Sequence, residues 1–148
     1  MLDRTVTRFI AFGFIALWID MAASHLSAGV HHPAMLLPLL VLPVAFWVVL
    51  RADASPDPAS LVALQAVFYL AIALGILGAG LHLLSIVSKL RGQVSWGVLI
   101  RLFRYPPVTA PIAISALGTL GLLTARKANS AHLTQPLPQE PSIARTIQ

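Results

Sequence analysis

From Ser60 to Ser88 the chain runs without a single Lys, Arg, Asp or Glu. As a helix rising 1.5 Å per residue, that stretch is about 43 Å long, more than the ~30 Å hydrocarbon thickness of a bilayer. No water-soluble domain built from 148 residues has a core large enough to bury it. The rest of the composition agrees: 57% of residues are hydrophobic, 10% are charged and the mean hydropathy is +0.83. A soluble enzyme, a nucleic-acid-binding module and a disordered scaffold are thereby excluded. The net charge of +5 does not revive nucleic acid as a partner, because the basic residues flank apolar blocks as helix-end anchors do.

Three further stretches have the same character: residues 9–24, 34–50 and 107–125. Each is about 24 to 28 Å long as a helix, while the third in chain order, 60–88, must tilt, bend or protrude. Inside lipid every backbone N–H and C=O needs an internal partner, so all four are read as helices. Pro38 and Pro43 are expected to kink the second. Ala71, Gly75 and Ala79 on the third, with Gly118 and Gly121 on the fourth, are the small residues that let membrane helices approach closely.

The expected fold is all-α: an integral membrane antiparallel four-helix bundle over residues 1–127, followed by a disordered, proline-containing tail at 128–148. Between the third and fourth spans, KLRGQVSWGVLIRLFRYP mixes apolar residues with Arg91, Arg101 and Arg104. It is expected to form a short helix in the interface. Reading residues 9–19 as a signal peptide fits less well, because Asp20 and the bulky Met21 occupy the cleavage zone. Lys and Arg number six on the side of the termini and four on the other, which places the termini in the cytoplasm of a bacterial inner membrane.

Alternating spans bring four of the five histidines to the face opposite the termini: His25, His31, His32 and His82. The absence of cysteine excludes thiolate-held metals. His82 is the most informative of the four, since an ionisable side chain within a span turns inward and needs a partner. His25 and His82 are the expected ligands of a single haem b or copper, or the contacts of a bound quinone. His31, His32 and Met35 add imidazole and thioether donors that suit copper. Arg104 and Tyr105, just before the fourth span, can meet a quinone or an anionic lipid, although such a pair also serves as an ordinary interfacial anchor.

No catalytic triad and no phosphate-binding loop is present, so the chain has no complete constellation for an enzyme acting alone. The expected role is a small subunit of a redox or energy-converting membrane complex, with the lipid bilayer and other membrane subunits as partners. The alternative is a non-catalytic scaffold that docks partners through its small-residue helix faces.

Overall fold

The computed structural model describes residues 3–29, 33–90, 97, 100 and 109–133. The described residues form α1 (Arg4–Ala28), a 3-10 turn (Pro33–Leu36), α2 (Leu37–Ala54), α3 (Pro58–Leu90) and α4 (Thr109–Leu133). All four helices are long and apolar enough to cross a membrane. The chain is thus a multi-pass membrane protein whose fold is a helix bundle.

Local chemistry explains where each helix begins and ends. α1 starts five residues before its apolar stretch because the Asp3 carboxylate accepts hydrogen bonds from the Thr5 and Val6 N–H groups at 3.0 and 3.3 Å. It stops at Gly29, whose φ of 78° lies in the region that favours glycine. α3 is capped by Asp57, whose carboxylate accepts from the Ser60 N–H at 2.7 Å. α4 continues to Leu133, past the expected end of the span at Ala125 and into the region read as tail. Nothing in TARKANSAHL breaks a helix, and the first proline beyond it is Pro136. Residues 134–148 lie outside the described residues.

The two prolines of α2 behave differently from each other. Pro38 falls in the first turn, where no N–H is needed, so the kink expected there has no cause. Pro43 lies inside the helix and has no N–H to give to the carbonyl four residues back, which belongs to Leu39. That carbonyl instead accepts a hydrogen bond from the Trp18 indole N–H of α1 at 2.9 Å. At the other end of the same pair of helices, Arg8 meets the nearly buried Asp53 carboxylate at 3.2 Å. The start of α1 therefore lies beside the end of α2, and the end of α1 beside its beginning.

α3 and α4 form the tightest seam. A Cβ at Gly75 would collide with the Pro111 carbonyl and with Ser115, and one at Gly118 would come within 2.9 Å of the Phe68 carbonyl. At Gly121 the obstacle is the Phe68 ring. The Ser115 hydroxyl crosses the seam to donate to the Ile72 carbonyl at 3.1 Å. α1 also packs against α4, and α2 against α3, which closes the ring of four. Phe14, Phe68, Leu42 and Ile114 fill the middle, with Ile10, Val49 and Leu64 toward the end that carries the termini. Toward the other end packing thins: α1 buries no described residue beyond Met21, and α3 none between Gly75 and Ile86.

Trp18→Phe removes the donor to the Leu39 carbonyl. Interhelical hydrogen bonds in membranes average only ~0.6 kcal/mol, but this carbonyl has no intrahelical alternative, so a loss of about 1–2 kcal/mol is expected. In a Pro43→Ala background the N–H restored at position 43 can serve Leu39 within α2, and the cost of Trp18→Phe should shrink. Equal costs in both backgrounds, measured by unfolding in mild detergent, would refute the coupling.

The seam makes a second prediction. Gly118→Val should destabilise by about 1–3 kcal/mol, because backbone stands in its way. Gly80→Ala should be neutral or slightly stabilising, since nothing lies within 4 Å of the added Cβ.

Candidate functional site

The end of the bundle away from the start of α1 carries His25 and His82. His25 lies in the last turn of α1. His82 lies on α3, one turn past Gly78, which packs against Pro111 near the beginning of α4. The two imidazoles are therefore carried by α1 and α3, helices that are not neighbours in the ring. Both residues are half-buried.

The His25 Nδ1 atom is buried and has no hydrogen-bond partner among the described residues. An orphaned polar atom of this kind costs free energy unless a ligand or water serves it. The polar side chains nearest in sequence on α1 do not serve it. Neither Asp20 nor Ser24 bonds to either histidine, and both side chains are exposed. What lies close along α1 is the thioether of Met21, buried one turn before His25. Met35 sits half-buried in the 3-10 turn that leads into α2.

His31 and His32, which precede that turn, lie outside the described residues, as do Arg104 and Tyr105. Of the segment 91–108 only Gly97 and Ile100 are described, and both are helical and exposed. Among the described residues no three His, Asp or Glu side chains converge as a metal-binding group. The described residues thus place two imidazoles at one end of the bundle, with the thioether of Met21 one turn from His25. Were they to converge on one centre, His25 and His82 would supply nitrogen donors to a metal or haem iron, or hydrogen bonds to the carbonyls of a quinone.

No known family matches the chain. No curated protein and no solved structure is significantly similar to it either. The functional reading therefore rests on its own side chains.

Sequence reasoning missed the polar features of the other end. Arg8 and Asp53 form their ion pair there, and one Asp53 oxygen is buried without a partner. The Arg126 guanidinium donates to the Tyr69 hydroxyl at 2.8 Å, tying α4 to α3. The Arg51 guanidinium stacks on the Trp47 ring, 5.6 Å from its centroid. The i,i+4 spacing of Trp47 and Arg51 was the one signal available for these contacts.

If the His25 Nδ1 has no partner in the ligand-free protein, an apolar replacement removes a desolvation cost of about 1–3 kcal/mol at the expense of some packing. His25→Leu should accordingly leave the unfolding midpoint of the metal-depleted protein unchanged or raised. A marked fall would show that the imidazole is already satisfied from within the chain.

Proposed function

We propose that this protein is a small integral subunit of a bacterial inner-membrane redox or energy-converting complex. In this reading His25 and His82 hold a single haem or copper, or the headgroup of a quinone, near the outer face. The observation that carries it is the placing of two half-buried imidazoles on α1 and α3 at the same end of the bundle, one with a buried nitrogen that has no partner among the described residues. The fold is read as an antiparallel bundle. Support comes from the contacts of Trp18 with Leu39 and of Arg8 with Asp53, and from the opposed registers of α3 and α4. The termini are assigned to the cytoplasm by the distribution of Lys and Arg.

The chain acts by positioning. α1 and α3 bring the ligands in from opposite sides, and Met21 supplies a soft donor beside His25 that favours a reduced copper ion over zinc. The apolar helices exclude bulk water below the site, which raises the potential of a centre whose reduced form carries less charge.

The alternative, a non-catalytic scaffold that docks partners through small-residue helix faces, would use positions outside the α3–α4 seam, such as the exposed Gly80, where nothing lies within 4 Å of an added Cβ. Gly75, Gly118 and Gly121 face the seam between α3 and α4 and are not available to partners. Subunits that dock on this chain would have to use its exposed apolar faces.

Absorption spectra of oxidised and reduced protein in mild detergent, with copper analysis and quinone extraction, test the reading. A Soret band, stoichiometric copper or stoichiometric quinone is expected. It should be lost in both His25→Ala and His82→Ala while helix content is kept. Retention in either variant, or absence of all three from the unmodified protein, would overturn the assignment.

A further inference from the structure

At the end of the bundle that carries the termini, α2 and α3 frame a half-open cleft of about 230 Å³ lined by Trp47, Val48, Arg51, Asp57, Ala59, Ser60 and Ala63. At ~30 Å³ per water this space has the bulk of several waters, or of a small polar headgroup. Val48, Ala59 and Ala63 give it an apolar wall, and the exposed Trp47 marks the level at which indole rings meet the membrane surface.

Two opposite charges line this cleft without pairing. Arg51 forms no ion pair among the described residues and instead lies over Trp47. Asp57 is fixed by its cap, with one carboxylate oxygen on the Ser60 N–H and the other accepting from no described residue. Ser60 is buried and its hydroxyl is already committed to the Ser55 and Asp57 carbonyls at 2.9 and 2.8 Å. The hairpin therefore keeps a cation and an anion apart on two walls of one space. In the reduced dielectric of an interface, unit charges a few ångströms apart attract by several kcal/mol, so such a separation favours an occupant carrying both complementary charges.

We propose that the cleft binds the headgroup of a zwitterionic phospholipid bearing a primary ammonium, phosphoethanolamine in chemical class. The phosphate meets the Arg51 guanidinium, which can bind it through two parallel N–H donors. The ammonium donates to the free oxygen of Asp57, and the acyl chains run down the apolar wall between α2 and α3. A choline headgroup has no N–H to give Asp57, and a glycerol headgroup has no positive charge for it. The site is independent of the histidine centre at the opposite end.

The test uses the full chain, delipidated in mild detergent and then titrated with phosphatidylethanolamine, phosphatidylcholine or phosphatidylglycerol, with bound lipid read by native mass spectrometry. Phosphatidylethanolamine should bind about tenfold more tightly than the other two, the worth of one charge-assisted hydrogen bond. Arg51→Gln should weaken all three lipids. Asp57→Asn keeps a good helix cap, so it should abolish the preference for ethanolamine while leaving phosphatidylglycerol binding intact or improved. Equal or tighter binding of phosphatidylglycerol by the unmodified chain would identify a purely anionic site at Arg51 and overturn the proposal. So would an unchanged preference in Asp57→Asn, or the absence of any retained lipid.

Discussion

Every backbone polar group of a chain in lipid has to find its partner within the protein, and at Leu39 the covalent structure makes this impossible inside α2. Pro43 withholds the N–H that would close that turn, and Trp18 of α1 answers with its indole. The defect in one helix thus becomes the point at which a second helix is fixed in rotation and height. With that contact set, Arg8 falls level with Asp53, and the α1–α2 pair is held at both ends by polar groups in an otherwise apolar contact. The free energy of one such bond is small. Its geometric consequence is larger, because non-directional apolar packing alone does not fix register.

The α3–α4 pair is fixed by a different principle. Here small side chains let backbones touch, so that carbonyls and glycine Cα atoms make the contact. Shape sets this seam, and the hydrogen bonds from Ser115 to the Ile72 carbonyl and from Arg126 to the Tyr69 hydroxyl add direction to it. The two pairs then meet through Phe14 and Phe68, whose rings stack with centroids 6.5 Å apart. A stacked pair of this kind adds about 0.5–1.5 kcal/mol to the area it buries.

Membrane class and helix number were legible because each follows from runs of apolar residues, and the parity of the spans put His25 and His82 at one end. The boundaries were less so. Asp3 extends α1 backward through a capping interaction that hydropathy does not register, and α4 runs on through polar residues because no proline interrupts it before Pro136. The small residues of α3 and α4 were recognised as contact surfaces, but whether they face a partner or each other depends on the rotation of each helix, which a sequence pattern does not set. The exposure of Asp20, by contrast, agrees with its five-residue offset from His25, which puts the two on different faces of α1. The pairing of Arg8 with Asp53 joins residues far apart in the chain, and no local pattern announces it.

The thinning of the core toward the histidine end has a kinetic side. Buried apolar contact is what makes local opening costly, and between Gly75 and Ile86 α3 has no buried residue to lose. Near the start of α1 the helices are tied together by buried side chains, while the far halves of α1 and α3 turn most of their described residues outward, to lipid in a bilayer. Lipid holds the backbone hydrogen bonds of those segments closed, so thin packing there loosens side chains and not the helices. A ligand can then approach the imidazoles sideways from the bilayer, without disruption of the folded centre.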